Sequence, residues 1–326
     1  MNGNNPVTRD DLDLPLLPGT TRRRTRFSLM ERLKKDKWLL LLALPGLLYY
    51  IVFRYFPMFG IVMAFQDFSI RDGIFGSDFV GLKNIRMFIN HPSFWMLLKN
   101  TVLLGLLSVV LTLPVAVLFA VLLTEIKSRL LSRFTQSIAL MPYFIATVVI
   151  VGIAINMLAP ETGLINRLIE ALGGESIHFI QEPGWFRPIY IITEIWQKNG
   201  WLAVVFIAAI LGIDQQLYEA SAIDGAGRLK KLIHITIPLI FPIIAIMFVL
   251  RVGQIMNLSF EKTILLQNPL NYATSDIIDT YIYRRGFLHG DISYASAVDL
   301  FKGAVSLLFA LGTNYVTKRL TSKSAF

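Results

Sequence analysis

The chain has 326 residues, of which 54% are apolar and only 16% are charged. Its mean hydropathy of +0.58 excludes an ordinary water-soluble domain and indicates a protein of the lipid bilayer. The formal net charge is +9 and there is no cysteine, which excludes disulfides and thiolate metal sites. Because the basic residues gather beside apolar segments, they indicate membrane topology and argue against a nucleic-acid partner.

The first 36 residues differ in composition from the rest of the chain. Asn, Asp, Pro, Gly and Thr dominate the first 20, and a run of basic residues precedes the first apolar segment. We expect a flexible basic cytoplasmic tail over residues 1–36, because such a composition cannot form a core. The following apolar segment is too long for a signal peptide. Residues 37–320 are predicted to form one transmembrane domain, followed by a short tail over 321–326.

Six apolar segments are long enough to cross about 30 Å of hydrocarbon as helices. They cover residues 38–64, 98–123, 134–158, 188–211, 238–260 and 297–317. Lys and Arg are concentrated in the N-terminal tail, in 124–133, in 212–237 and at the C-terminus. With an even number of spans these four regions share one face, which the positive-inside rule assigns to the cytoplasm. The predicted fold class is an all-α membrane protein with six transmembrane helices and both termini cytoplasmic.

Polar residues interrupt several spans, where they are costly and usually face a cavity or another helix. In the fifth span Arg251, Gln254 and Asn257 are spaced by three, which predicts one shared helix face. In the fourth, Glu194 and Lys198 are four residues apart and are expected to pair. The candidates for a substrate pathway are Asn156, Gln197, Lys198, Asn199, Arg251, Gln254, Asn257 and Lys302. The alternative for all of them is hydrogen bonding between helices.

A polar stretch over about 212–237 separates the fourth and fifth spans. Apolar residues recur at helical spacing on both sides of Asp224-Gly225-Ala226, which predicts two short helices joined by a bend. Asp224 is expected to cap the second helical turn.

This stretch resembles the coupling loop of permease subunits in binding-protein-dependent ABC importers. The pattern of that family is Glu-Ala-Ala, then Asp-Gly-Ala, then Ile-x-Leu-Pro. It is matched in order and spacing by Glu219, Ala220, Asp224, Gly225, Ala226, Ile235 and Pro238, with Ser221 and Ile237 as substitutions. The resemblance implies the type I importer permease fold and a contact between this loop and an ATP-binding subunit. The residues implied in that contact are Glu219, Ala220, Ser221, Asp224, Gly225, Ala226 and Arg228.

The resemblance also implies partners, cofactors and a substrate class. The partners are a second permease subunit, expected to be a different chain, two ATP-binding subunits and a soluble substrate-binding protein, at the bacterial inner membrane. No Gly-x-x-x-x-Gly-Lys-Ser/Thr occurs, so we expect no ATPase activity or cofactor in this chain, with ATP and Mg²⁺ bound by the partners. The outer segments resemble those of maltose-type and alginate importer permeases, which implies a carbohydrate. Arg251 and Lys302 would suit an acidic oligosaccharide.

No catalytic or metal site is predicted, because the four histidines are far apart and lack metal-ligand spacing. The alternative function is a secondary transporter driven by an ion gradient. Such a protein needs an acidic ion site near the middle of the membrane. Glu194 and Asp299 are the available candidates, and both lie toward the ends of their predicted spans.

Overall fold

The computed structural model describes residues 37–321. The tail predicted over residues 1–36, and residues 322–326 of the predicted C-terminal tail, lie outside the described residues. The chain divides into two compact units, one ending at Phe59 and the other beginning at Gly60. The second unit contains the candidate site.

Most of the described chain is helical. In chain order the α-helices are α1 (Lys37–Tyr50), α2 (Gly73–Gly76), α3 (Lys83–Ile89), α4 (Phe94–Thr124), α5 (Arg129–Leu140), α6 (Thr147–Met157), α7 (Leu164–Ala171), α8 (Pro183–Leu211), α9 (Gln215–Ile223), α10 (Arg228–Lys231), α11 (Ile237–Gly253), α12 (Phe260–Leu266), α13 (Tyr272–Ser275), α14 (Ile278–Tyr283) and α15 (Ile292–Thr321). Turns of π or 3-10 helix extend α1 to Phe65, α5 to Phe144, α10 to Thr236 and α14 to Leu288. One antiparallel pair, β1 (Gln66–Asp67) and β2 (Asp78–Phe79), completes the secondary structure.

Four helical runs are long and apolar enough to cross a membrane. They are Leu40–Phe65, Phe94–Thr124, Arg228–Gly253 and Ile292–Tyr315. Two more runs qualify only as bent pairs, α5 with α6 at 100° and α8 with α9 at 68°. The part of the chain that the structure describes is therefore a helical membrane protein with four to six candidate spans.

The third predicted span, 134–158, is not one straight helix. A 3-10 turn follows α5, and α6 leaves at 100° to it. Pro142 has no N–H to donate to a continuing helix, and Ile145 is extended, with ψ of 133°. Gln197 of α8 donates to the Ile145 carbonyl oxygen at 3.2 Å, which satisfies a backbone group at the break.

The fifth predicted span, 238–260, ends early, because its helix stops at Gly253. An irregular turn follows over residues 254–259 and leads to α12. The Ser259 hydroxyl accepts a hydrogen bond from the Lys262 N–H at 3.3 Å, so it caps the start of a new helix instead of continuing the old one. The prediction that Asn257 lies on one helix face with Arg251 and Gln254 is therefore wrong.

The centre of the second unit is the pairing of α4 with α8, which pack along much of their length. Small and branched side chains on both helices form a buried cluster, which lets the two backbones come close. Gly105 of α4 lies against the turn after α11, where an added Cβ would be 2.2 Å from the Ile255 carbonyl oxygen. A side chain at this position would push the turn away, so Gly105 fixes the place where α4, α8 and the turn meet.

Candidate functional site

A polar cavity of about 90 Å³ lies where α4, α8 and the turn after α11 meet. Its polar lining residues are Ser108, Tyr190, Glu194, Lys198, Arg251, Gln254, Asn257 and Ser259. A larger neighbouring space of about 350 Å³, here called the aromatic cleft, shares Lys198, Arg251 and Gln254 with it. The predicted group of Arg251, Gln254 and Asn257 thus does line one cavity, although a helix end brings it together.

Glu194 is the buried carboxylate of the polar cavity, with 4% of its surface exposed. The Lys198 Nζ lies 2.9 Å from Glu194 Oε1, and the Ser108 hydroxyl donates to Oε2 at 2.7 Å. The predicted pairing of Glu194 with Lys198 is confirmed. Glu194 is not near a helix end, because α8 begins at Pro183, five residues before the predicted span.

Arg251 borders both the polar cavity and the aromatic cleft. Within residues 37–321 its guanidinium has no hydrogen-bond or ion-pair partner, so no carboxylate neutralises it. The charged residues around the polar cavity are then one carboxylate, Glu194, and two cations, Lys198 and Arg251. Both oxygens of the carboxylate already accept hydrogen bonds, which leaves the guanidinium available to an anion or to hydroxyl oxygens.

The aromatic cleft contains a stacked pair of rings, Tyr143 and Trp201. Their centroids are 4.9 Å apart and their planes are 10° from parallel. Tyr143 comes from the 3-10 turn at the bend between α5 and α6, and Trp201 from α8. Since the rings remain 41% and 49% exposed, they offer a flat surface beside the cations.

Three of the predicted pathway residues do not line either cavity. Asn156 donates to the Gly152 carbonyl oxygen of its own helix at 2.8 Å. Gln197 holds the bend at Ile145, as described above. Asn199 is buried, at 8% exposure, away from both cavities. Asn156 and Gln197 thus satisfy backbone carbonyl groups, whereas Asn199 Oδ1 is buried without a hydrogen-bond partner among the described residues.

Lys302 also lies elsewhere, between α14 and α15. Its Nζ is 2.5 Å from an Asp279 carboxylate oxygen and 3.5 Å from Asp299. Burial raises the pKa of the Asp279 carboxyl, although Lys302 acts against this rise. Lys302 is thus paired with two carboxylates and does not line the polar cavity. The cation next to Arg251 in the polar cavity is Lys198, not Lys302 as the sequence suggested.

Among the lining residues, Ser108, Tyr143, Tyr190 and Trp201 were not predicted from the sequence, whereas Lys198 was predicted and Glu194 was expected to pair with it. Tyr190, Glu194, Lys198 and Trp201 follow one another at intervals of four, four and three, which is a single face of α8. That face was a readable signal. Ser108 and Tyr143 gave none, because a lone serine in an apolar helix and a tyrosine near a proline are common in membrane helices.

Residues 212–237, here called the coupling hairpin, contain α9, a turn, α10 and the π-helical turn after it. Gly225 has φ of +74°, a left-handed conformation that favours glycine. Its N–H donates to the Ala222 carbonyl oxygen at 3.1 Å, and the Ala226 N–H donates to Ser221 at 2.9 Å. This pair of bonds is a Schellman motif, which ends α9 in a defined turn.

Asp224 does not cap the second helix as predicted. It occupies the C-terminal cap position of α9, and Gly227 precedes α10 without any side-chain cap. The Schellman turn ends α9 at Asp224, so the aspartate belongs to the first helix. The capping aspartate is Asp214, whose Oδ1 accepts from the Gln216 N–H at 2.9 Å at the start of α9.

Side-chain contacts brace the coupling hairpin. The Tyr218 and Thr236 hydroxyls are 2.9 Å apart and join α9 to the start of the following span. Arg228 Nε lies 4.0 Å from a Glu125 oxygen at the exposed end of α4. Glu219 and Ala220 are exposed, and so are the large apolar side chains Leu217, Ile223, Leu229 and Ile233.

Residues 98–322 match the profile of the family described as binding-protein-dependent transport system inner membrane component. The chain belongs to this family. Protein LplB of Bacillus subtilis is 40% identical over 299 residues, which cover 92% of this chain and 94% of that protein. The polygalacturonan/rhamnogalacturonan transport system permease protein YteP of Bacillus subtilis is 40% identical over 305 residues, covering 94% and 95%.

The structure is also similar to a solved one, the crystal structure of a bacterial ABC transporter involved in the import of the acidic polysaccharide alginate. The TM-score is 0.83 at 34% sequence identity, over 90% of this chain and 99% of that one. The fold is therefore that of a type I ABC importer permease. The chain is a translocation subunit that works with a substrate-binding protein, and the ATPase activity resides in partner subunits. Family membership decides against the ion-gradient transporter.

Proposed function

We propose that this chain forms part of the translocation pathway for an acidic oligosaccharide in the inner membrane of a bacterium. It crosses the membrane six times with both termini in the cytoplasm, and each bent helix pair contains one crossing. It pairs with a second, different permease chain, above two subunits that bind ATP and Mg²⁺. A soluble protein outside delivers the oligosaccharide.

The observation that most directly supports an acidic substrate is Arg251. It lines the polar cavity next to Lys198 and has no carboxylate partner in residues 37–321. A guanidinium and an ammonium group together suit a carboxylate, which accepts bidentate hydrogen bonds from arginine. Support also comes from two similar proteins, one named for polygalacturonan/rhamnogalacturonan transport and one titled for import of acidic alginate. The amides of Gln254 and Asn257 supply donors and acceptors for sugar hydroxyls.

The neighbouring aromatic cleft also supports a carbohydrate substrate. A sugar ring has an apolar C–H face, and Tyr143 and Trp201 provide an exposed aromatic surface one cavity away from the cations. One saccharide unit can therefore place its ring on the aromatic cleft and its carboxylate toward Arg251. Substrate passage then proceeds by alternating access, in which the wall opens first outward and then inward.

The substrate class is tested with the whole importer reconstituted in proteoliposomes with its binding protein. We expect ATPase stimulation by trigalacturonate or an alginate trisaccharide, and little by maltotriose. The variant Arg251→Gln should raise the half-saturating concentration of the acidic trisaccharide by about tenfold, because a charge-assisted hydrogen bond is lost.

The matched control for Arg251→Gln is Arg167→Gln, which removes a cation from α7, outside both cavities. It should leave the half-saturating concentration unchanged. Stimulation of the wild type by maltotriose alone, or an Arg251→Gln importer with unchanged response to the acidic trisaccharide, would contradict an acidic substrate at this cavity.

A further inference from the structure

Lys262 is a buried cation directly behind the wall of the polar cavity. It lies on α12 with 2% of its surface exposed. Its Nζ is 3.4 Å from the Tyr190 carbonyl oxygen and 5.0 Å from the centroid of the Tyr190 ring. Tyr190 itself lines the polar cavity, so a single residue separates the ammonium group from the space.

No carboxylate lies within ion-pair distance of Lys262 in residues 37–321. The nearest candidate, Glu194, already receives Lys198 and Ser108 on its two oxygens. Asp279 of the adjacent α14 is held by Lys302. An ammonium group buried without a carboxylate is costly, and packing alone would be served as well by an apolar side chain. The charge itself therefore calls for an explanation.

We propose that Lys262 is a specificity-determining residue, which favours acidic over neutral oligosaccharides by its positive charge without touching the substrate. The inference rests on the proposed function of the polar cavity. Glu194, Lys198 and Arg251 together leave one net positive charge around the cavity, and Lys262 adds a second. Because water is largely excluded between Lys262 and the cavity, its field is screened less than that of a surface lysine.

The test replaces Lys262 by Met, which has a similar length and no charge. In the reconstituted importer we expect Lys262→Met to raise the half-saturating concentration of trigalacturonate by about tenfold, the effect of one weakly screened charge behind the cavity wall. For any neutral oligosaccharide that measurably stimulates the wild type, Lys262→Met should leave the half-saturating concentration unchanged. Lys99→Met, which removes an exposed cation from α4, is the control and should change neither.

A merely structural role for Lys262, such as holding Tyr190 in place, predicts a different pattern. The half-saturating concentrations of acidic and neutral oligosaccharides would then rise together, and that result would overturn the inference. An unchanged preference for acidic oligosaccharides in Lys262→Met would do the same. In both cases the preference of the wild type for an acidic substrate would remain, so the proposed function would stand.

A second measurement follows the wild-type importer as the pH changes. Burial lowers the pKa of the Lys262 ammonium to about 8, although Glu194 acts in the opposite direction. As the pH rises from 7 to 9 the ammonium loses its proton, so the wild-type preference for acidic over neutral oligosaccharides should fall. The titratable and charged groups that face Lys262 are Glu194, Lys198 and Tyr190 of α8.

The pH response should be absent from Lys262→Met. A preference that stays constant from pH 7 to 9 in the wild type, or falls equally in Lys262→Met, would overturn the inference. If the wild type responds to neutral oligosaccharides only, the acidic substrate and the role of Lys262 fail together, which is a distinct outcome.

Discussion

Glu194 shows how one residue decides what the others around it can do. Its two oxygens accept hydrogen bonds from Lys198 and Ser108, so it holds α8 to α4, and it forms no ion pair with Arg251. The carboxylate therefore compensates one cation and leaves the other for a ligand. A buried charge with both partners in place is tolerated, whereas loss of one partner leaves it uncompensated.

At the same scale, Trp201 is expected to act on every pyranose substrate, whatever its charge. Trp201→Leu removes the aromatic face of the cleft, so the half-saturating concentration should rise about tenfold for acidic and neutral oligosaccharides alike. The measurement is substrate-stimulated ATPase activity in proteoliposomes.

Trp196→Leu is the matched control, because Trp196 is also exposed on α8 and lines neither the polar cavity nor the aromatic cleft. Trp196→Leu should leave the half-saturating concentration unchanged. Equal effects of the two substitutions would show that the aromatic cleft has no special part in binding.

At the scale of elements, the coupling hairpin is a braced unit. The Schellman turn at Gly225 and the contact between Tyr218 and Thr236 tie α9 to the following span. Its exposed apolar side chains at Leu217 and Ile223 favour docking against another protein, since such patches are rarely left open. A displacement of α9 is therefore expected to be transmitted to α11, whose C-terminal end lines the polar cavity.

Glu219→Lys should abolish substrate-stimulated ATPase activity, because it reverses a charge on the exposed face of α9 that is expected to contact the ATP-binding subunit. Membrane insertion of the chain should be unaffected. Gln216→Lys places the same charge on the same helix near its start and is expected to retain most of the stimulation. Normal stimulation in Glu219→Lys would remove this residue from the coupling contact.

For the whole molecule, the absence of cysteine allows a direct test of topology. A single cysteine at Glu219 should react with a membrane-impermeant maleimide only in inside-out vesicles. One at Phe75, which is fully exposed between β1 and β2, should react only in right-side-out cells. Labelling of both positions from the same side would contradict six crossings, since three predicted spans, an odd number, lie between Phe75 and Glu219.

Much of this architecture could be predicted from the sequence, and the exceptions have physical causes. Apolar length predicted the positions of the four helical runs that are long enough to cross a membrane, and the motif around Gly225 predicted the bent hairpin. The breaks after Phe144 and Gly253 were missed because hydropathy reports burial in lipid and is blind to helix direction. Lys302 was misplaced because its partner Asp279 is 23 residues away in the chain. Arg251, without such a partner, does line the polar cavity.

The elbow between α5 and α6 has a consequence for the surrounding lipid. At about 1.5 Å per residue, the 11 residues of α6 extend only about 16 Å, roughly half the hydrocarbon thickness. A straight helix adapts to a thicker or thinner bilayer by tilting, whereas a kinked helix can also change its angle at the kink. Tyr143 lies at this joint. A change in the acyl-chain length of the host membrane is therefore expected to move the Tyr143 ring relative to Trp201 and to change how the aromatic cleft binds a sugar ring.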